Sequence, residues 1–507
     1  MNKNIEQAKQ YFDLGLNLFG LGDYAGAEEQ FMRALSLCPD RLSILINLSA
    51  TLIKLGKWSE CEKVCQKILS VDSDNYDAHL NIGVCLSHYK NEVTALDHLN
   101  RAIAINPNLH SAWINKGNIF QESGNLEEAE NCFNMALSLS PLSEEALIGR
   151  GNIRNDKKEY QQALEDFNAA LSVNSSNAQA KWNKALSLLR LGIYDEGWKL
   201  YESRWEVAGM REHKKYLDLP LWLGKEQLRN KIILVYAEQG YGDVIQFARY
   251  LPLLEKMGAK VLFEVQGPLV DLMKTLSPSI YVFENFANTF VRSFPNIDYR
   301  CPVMSLPLAF STTLETIPNN CPYLWAQETK SIFWQTRLEV ASDVGVGNFH
   351  PFRIGIAWSG SGQYAGKKNI KRDLPSTDVS TLINCFHEST IEFHSLQIEA
   401  SKNRALGSLV KGHFFTHGDL LQDFSDTAAL MSQMDLIVSI DTAAAHLAGS
   451  LNLPTLLLIP DPPDFMVQIS RTDTPWYPRT QIIRQNSPGS WPVAQIAEAI
   501  KQYTETK

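Results

Sequence analysis

One period governs the first two-fifths of the chain. Counted in steps of 34 residues from Ala8, a small residue returns at the twentieth position of each step as Ala27, Cys61, Ala95, Ala129, Ala163 and Gly197. The eighth position runs Gly15, Ser49, Gly83, Gly117, Gly151, Ala185, and the twenty-fourth runs Phe31, Cys65, Leu99, Phe133, Phe167, Tyr201. The twenty-seventh is Ala34, Ile68, Ala102, Ala136, Ala170, Arg204, and Pro39, Ser73, Pro107, Pro141 and Ser175 close five of the steps. Such a period describes two antiparallel helices per step. Small residues let the two helices approach, large apolar ones wedge into the next pair, and proline stops the second helix. A unit of this kind buries its face only against its neighbours, so the chain must stack its units in a line.

The phased positions resemble the tetratricopeptide repeat, with six consecutive units over about residues 8–205 and a repeat domain over 1–205. The sixth unit departs from the pattern at Gly197-Trp198 and Arg204-Trp205, which predicts an end that docks on the next part of the chain. The sixth position of successive units reads Asp13, Asn47, Asn81, Asn115, Gly149, Asn183. In such repeats it lies on the first helix of each pair, which lines the concave face. A ladder of amides can hydrogen-bond an extended peptide backbone without reading its sequence. A similar ladder guides polypeptides in O-GlcNAc transferase, so Asn47, Asn81, Asn115 and Asn183 are candidate peptide-binding residues. Asparagine there is also part of the general repeat consensus, which gives the ladder a purely structural reading.

Beyond Trp205 the pattern changes. A stretch over 206–228 that contains Leu219-Pro220-Leu221-Trp222 reads as a linker. Apolar runs of strand length come after it at Ile232–Ala237, Val261–Val265, Arg353–Trp358, Ile391–Leu396, Leu436–Ser439 and Thr455–Ile459, with helical patterns between them at Val244–Lys256 and Asp426–Gln433. Apolar strands alternating with helices imply parallel sheets covered on both faces. Two α/β lobes result, 229–340 and 353–507, joined across 341–352 by Asp343-Val344-Gly345-Val346-Gly347-Asn348. Ligands of open parallel sheets sit beyond the carboxyl ends of strands, so the lobes are expected to face each other across a cleft.

Two segments have the residues for chemistry there. Ala237-Glu238-Gln239-Gly240-Tyr241-Gly242-Asp243 follows a strand and precedes a helix. Gly240 and Gly242 permit a tight turn and a close approach of backbone, and Asp243 is either a cleft-facing carboxylate or a helix cap. Val438-Ser439-Ile440-Asp441-Thr442-Ala443-Ala444-Ala445-His446 repeats the arrangement in the second lobe. Thr442 and His446 share a helix face, and free N–H groups at a helix start suit a diphosphate. The alternative is an N-capped core helix with a packed histidine.

Together with Gln246-Phe247-Ala248-Arg249-Tyr250-Leu251-Pro252, these segments resemble the heptosyltransferase-type (family 9) glycosyltransferases. Gly355-Ile356-Ala357-Trp358-Ser359-Gly360, Lys371-Arg372-Asp373-Leu374-Pro375, Ser395-Leu396-Gln397, Asp423-Phe424-Ser425-Asp426-Thr427-Ala428 and Pro475-Trp476-Tyr477-Pro478 extend the likeness over about Trp205 to Trp491. The resemblance implies a GT-B unit of two Rossmann-like lobes, an acceptor lobe followed by a donor lobe, working without a metal or cofactor on a nucleotide-sugar. By that resemblance Asp243 is the general base, with Gly240 and Gly242 on the acceptor side. Asp441, Thr442, Ala443, Ala444 and His446 match the donor segment, Arg372 a phosphate-neutralising position, and Ser359 and Gln397 positions near the donor. Heptosyltransferases usually carry glycine where this chain has Ala443, so the sugar is left open between hexose and heptose.

Composition narrows the remaining choices. A net charge of −9 argues against nonspecific nucleic-acid binding. No apolar run is long enough to span a bilayer, and Met1–Gln7 lacks the apolar core of a signal peptide, so a cytoplasmic location is expected. The eight cysteines and eleven histidines fall in no metal-ligand rhythm, and Cys61 and Cys65 read as small buried hydrophobes. Asp72-Ser73-Asp74 sits at a repeat turn and Asp461-Pro462-Pro463-Asp464 at a strand end, both structural readings. The leading expectation is a glycosyltransferase whose repeats present a protein acceptor. The alternatives are a lipid-linked or cell-surface saccharide acceptor, or an inactive repeat scaffold for protein interaction.

Overall fold

The 34-residue steps become helix pairs in the structure, a computed structural model that describes residues 2–211, 214–284, 294, 296–341, 351–360, 372–387, 389–461, 463 and 467–505. The pairs are α1 (Asn2–Gly20) with α2 (Tyr24–Leu37), α3 (Leu42–Lys54) with α4 (Trp58–Val71), and α5 (Tyr76–His88) with α6 (Glu92–Ile105). They continue as α7 (His110–Ser123) with α8 (Leu126–Leu139), α9 (Glu144–Asp156) with α10 (Tyr160–Val173), and α11 (Ala178–Arg190) with α12 (Tyr194–Tyr201). Helices α2, α6 and α8 stop two residues before Pro39, Pro107 and Pro141, as the proline signal requires. The chain divides into two units, 1–184 and 185–507, with the boundary inside α11.

Within the first unit the packing rule is steric. A methyl group on Gly15 would stand 2.6 Å from the Phe31 ring, one on Gly117 3.0 Å from Phe133, and one on Gly151 2.6 Å from Phe167. The eighth position is therefore small because the twenty-fourth fills the space above it. Where the ring is replaced by Cys65, Ser49 takes the place of glycine, and both are buried. Gly149 breaks the amide ladder for the same reason: any side chain there collides with Phe133.

The ladder itself differs from the expected row of open amides. Asn47 and Asn115 donate to carbonyls of their own helices, Ser43 and Ser111, each at 2.8 Å. Asn81 is buried and donates to Ser49 Oγ at 2.8 Å, and Asn183 donates to Asn152 Oδ1 at 2.7 Å while accepting from Gln179. These donors satisfy helix carbonyls and neighbouring side chains before any peptide arrives, so an approaching chain would have to displace bonds to use them.

The second unit contains two sheets. The first has β1 (Ile232–Tyr236), β2 (Lys260–Val265), β3 (Tyr281–Glu284) and β4 (Tyr299–Pro302) in the order β3-β2-β1-β4, all parallel. Its helices are α13 (Tyr241–Phe247), α14 (Leu251–Lys256), α15 (Val270–Met273) and α16 (Leu306–Ala309), followed by α17 (Glu328–Ala341). The continuous helix expected over Val244–Lys256 is broken by a 3-10 turn at Ala248–Tyr250. Pro252 has no N–H to return to Ala248, which removes the bond that would hold the two halves in one helix. Leu219-Pro220-Leu221-Trp222 pairs with β4 through Trp222 N to Arg300 O and Arg300 N to Pro220 O, both 2.9 Å, and Trp222 is buried.

The second sheet holds β5 (Phe352–Ala357), β6 (Ile391–Ser395), β7 (Phe414–Phe415), β8 (Leu436–Ile440), β9 (Thr455–Ile459), β10 (Asp473–Thr474) and β11 (Tyr477–Arg484). The order is β10-β11-β9-β8-β5-β6-β7, parallel except for β10 against β11. Helices α18 (Ser376–Asn384), α19 (Ala400–Gly407), α20 (Phe424–Met431), α21 (Ala443–Ser450) and α22 (Val493–Glu505) flank it. Ile354, Ile356, Val438, Leu456 and Leu458 pack one face against α18 and α22. The predicted strands are found within a residue or two of their expected bounds, whereas β3, β4, β7, β10 and β11 are too short or too mixed to show a strand signal. The connector Asp343–Asn348 lies outside the described residues. Among the described residues no helix is long and apolar enough to cross a membrane.

Candidate functional site

The loop leaving β1 is held by charge. Arg204, from the atypical end of the last repeat, is buried and meets Glu238 with two bonds, Nε to Oε2 at 2.8 Å and Nη2 to Oε1 at 2.9 Å. It also donates to Glu202 at 2.6 Å and Ser305 at 2.8 Å, while Met304 N donates to Glu238. Burial works against the Arg204 charge, but the Glu238 and Glu202 carboxylates outweigh it and hold the guanidinium above its ordinary pKa. Gln239 is fixed in turn, its carbonyl accepting from Gln266 and its amide donating to Tyr201. The predicted docking end is thus clamped to the base of the candidate loop.

That loop sets the start of α13. Asp243 lies in the first turn and accepts from Gly240 N at 3.0 Å through Oδ2, so a capping role is realised by one of its oxygens. The residue remains half-buried rather than packed away.

The carboxyl ends of three adjacent strands, β6, β5 and β8, place Gln397, Ser359 and Asp441 along one edge of the second sheet. Gln397 is buried, and its Oε1 accepts from Trp358 N and Ser359 N at 3.2 Å each. Through these bonds it shapes the loop after β5. Ser359 donates to Asp373 at 2.5 Å, and Asp373 also accepts from Gly360 N at 3.1 Å. Arg372 lies against Gly360, where a methyl group would collide with its guanidinium, and its Nε is buried with no hydrogen-bond partner among the described residues.

After β8, Thr442 does not cap α21. Its hydroxyl donates back to Ile440 O at 3.3 Å and supplies no cap to the first turn of the helix. The half-buried Ala443 and Ala444 begin that turn. His446 approaches Tyr477 OH at 3.0 Å through Nδ1, and its Nε2 lies 3.9 Å from Asp441 Oδ1. Burial, helped by the Arg249 charge, pushes its pKa down to about 4, so the ring is neutral near pH 7.

The two motifs, some two hundred residues apart in sequence, meet in space. A methyl group on Gly242 would stand 2.9 Å from His446 Cδ2 and 3.5 Å from Ala443 Cα. Gly242 is therefore the point where α13 of one sheet touches the start of α21 of the other. Tyr241 and Phe424 rings meet nearby at 5.1 Å. Arg249 completes the joint: it is buried, donates to Gln246 O, Pro318 O, Trp476 O and Tyr323 OH, and lies over the rings of Tyr323, Trp476 and Tyr477.

Asp243, Gly240 and Gly242 thus gather with Asp441, Thr442, Ala443, Ala444 and His446, while Ser359, Arg372 and Gln397 line the neighbouring strand ends. The asparagines of the repeats belong to the other unit, and Asp72-Ser73-Asp74 falls in the turn between α4 and α5. Arg204, Glu238, Asp373 and Tyr477 carry no site signal of their own in the sequence. Three of them stand inside the recognised motifs, and Arg204 is visible there only as a break in the repeat pattern.

Comparison with known proteins bears on the repeats. Tetratricopeptide-repeat models match residues 8–41, 110–141 and 156–208, and the chain carries these repeats. It is similar to Protein FlbA of Caulobacter vibrioides, at 24% identity over 347 residues, 64% of this chain and 55% of that protein. The chain thus spans about half the length of that relative. Among solved structures it is similar to a thermophilic TPR protein of Thermus thermophilus, at 21% identity, 36% of this chain, 99% of that chain and a TM-score of 0.34. PilF of Pseudomonas aeruginosa gives 17% identity, 41% of this chain, 94% of that chain and a TM-score of 0.35.

Proposed function

We propose that the two lobes after the repeats, 229–340 and 353–507, form a glycosyltransferase of the GT-B type, and that the repeats bind a protein acceptor. The observation that carries this reading is the meeting of Gly242 with Ala443 and His446. It sets a carboxylate-bearing strand end of one parallel sheet against a helix start of the other. A metal-independent transfer needs these two parts. In this reading the acceptor hydroxyl gives its proton to Asp243 as its oxygen bonds to the anomeric carbon of a nucleotide-sugar. The bond from that carbon to the diphosphate oxygen breaks, and the departing oxygen keeps the electron pair. The N–H groups of Ala443 and Ala444, the Thr442 hydroxyl, the His446 ring and the Arg372 guanidinium are the groups that would stabilise that charge. Closure of the two lobes would keep water from the donor.

Protein interaction is supported by the repeat matches themselves. A scaffold without transfer activity is favoured by one observation, the commitment of Asp243 to Gly240 N and of Gln397 to its own loop. A lipid-linked or cell-surface saccharide as acceptor has no such support. Binding and turnover across a panel of nucleotide-sugars, with Asp441→Ala and Asp243→Ala alongside, separate the readings. The transferase reading expects one donor to bind, Asp441→Ala to abolish binding, and Asp243→Ala to keep binding but lose turnover. No binding of any donor at millimolar concentration to folded protein rejects it in favour of the scaffold.

A further inference from the structure

The ring of Tyr477 lies directly on the backbone of α21. A methyl group on Gly449 would run into it, so glycine at that point is what lets the ring reach down the helix. One turn earlier, its hydroxyl meets His446 Nδ1 at 3.0 Å. The opposite nitrogen of His446, Nε2, lies 3.9 Å from the Asp441 carboxylate and belongs to the ring that faces Gly242. Arg249 stands 4.7 Å from the centre of the Tyr477 ring and also contacts Tyr323.

These contacts select one tautomer. A carboxylate beside Nε2 favours a proton there, and a neutral imidazole with Nε2–H has a lone pair on Nδ1. The Arg249 cation over the phenol ring polarises Tyr477 as a hydrogen-bond donor. Both effects favour Tyr477 O–H as the donor and His446 Nδ1 as the acceptor, over the neighbouring Tyr323 hydroxyl, which donates to Ile245 O and is the competing acceptor. The same residues would have to reverse their roles for Nδ1 to hold the proton, placing the Nε2 lone pair against Asp441. We propose that Tyr477 is a positioning residue that holds His446 as the Nε2–H tautomer, a neutral hydrogen-bond donor to an anionic oxygen of a bound nucleoside diphosphate. The tautomer stands on these contacts together with the enclosure that keeps the ring neutral; its use rests on the reading of this joint as a donor site.

The consequence is a site whose donor does not depend on protonation. Nε2 holds its proton in the neutral and the protonated ring alike, and the bond from Tyr477 keeps the ring in one orientation. Tyr477 touches no phosphate in this scheme; it acts through the ring of His446, as outer partners commonly fix a histidine's orientation.

Nitrogen-15 spectra of histidine-labelled full-length protein test the tautomer directly. Wild type is expected to show His446 protonated on Nε2 and unchanged from pH 8 to pH 5. Tyr477→Phe, which keeps the ring on Gly449, is expected to give a mixture of tautomers and a titration moved upward. A wild-type proton on Nδ1, or a Tyr477→Phe spectrum like that of wild type, overturns the proposal.

Binding of UDP, GDP and ADP then tests the use. The nucleotide that binds wild type is expected to bind Tyr477→Phe about tenfold more weakly, the loss of one well-placed hydrogen bond. His446→Gln, which sets a neutral N–H donor near the same place, is expected to bind more tightly than His446→Ala. Equal binding by the glutamine and alanine variants overturns the donor role. If none of the three nucleotides binds while the spectra behave as expected, the donor-site reading fails and the tautomer assignment stands.

Discussion

Arg249 Nη1 donates to the carbonyl of Trp476 at 2.7 Å, a bond between the segment after α13 and the strand pair at the far edge of the second sheet. Among the described residues this buried guanidinium bonds to neutral groups rather than to a carboxylate: the carbonyls of Gln246, Pro318 and Trp476 and the Tyr323 hydroxyl, with three aromatic rings around it. It is a fastener for the joint on which the candidate site is built.

Arg249→Met should therefore destabilise the second unit by about 2–4 kcal/mol, because the acceptors it leaves are buried and unpaired. Arg249→Lys should recover only part, since an ammonium cannot span these acceptors with one plane. Urea unfolding followed by tryptophan fluorescence measures both. A change within about 0.5 kcal/mol, the range of an ordinary surface substitution, would remove Arg249 from this role.

The Arg204–Glu238 pair gives a test by double-mutant cycle. Arg204→Met leaves two carboxylates without their cation and is expected to cost about 3–5 kcal/mol. Adding Glu238→Gln should recover part of that loss, because the remaining buried charge is smaller. Additive costs would show that the two residues do not act as a unit.

In the repeats, the exchange of space between Ser49 and Cys65 is testable. Cys65→Phe alone should cost about 1–3 kcal/mol through overpacking. Adding Ser49→Gly recreates the pairing seen at Gly15 with Phe31 and Gly151 with Phe167, and should recover part of the loss, the remainder being the bond that Asn81 gives Ser49 Oγ. Thermal unfolding of the single and double variants decides whether the pair is coupled.

Stability should depend on pH through two histidines, the buried His417 and the partly buried His446. Burial and Arg249 push His446 down to about 4, and burial with His394 and Arg337 pushes His417 down to about 3. An unfolded histidine titrates near pH 6.5, so below that pH the unfolded chain takes up protons that the folded one refuses. Stability is thus expected to fall with falling pH from about 6.5 to about 4, by on the order of 3 kcal/mol for His446 alone. Denaturant unfolding at stepped pH, repeated on His446→Gln, should show a shallower fall in the variant. An identical slope would count against a neutral His446 in the folded protein.

The sequence by itself determined the repeat period, the helix pairs with their proline stops, the apolar parallel strands and the places where strands end in motifs. Each of these is a local pattern of size and polarity, and local patterns survive in one dimension. Partners were a different matter. Gly149 stands in the expected ladder by its spacing, yet Phe133 claims its space, and Asn81 and Asn183 share the ladder's spacing but bond their neighbours. Gln397 matches a donor-side position by its motif, but its hold on the loop after β5 is visible only in the fold. Arg204 is only a break in a pattern until Glu238 meets it, and Gly242 is only a turn residue until His446 stands opposite. Only the tertiary structure decided these, because a hydrogen-bond donor or a vacant Cβ position takes whichever partner the fold brings within about 3 Å, at any distance along the chain.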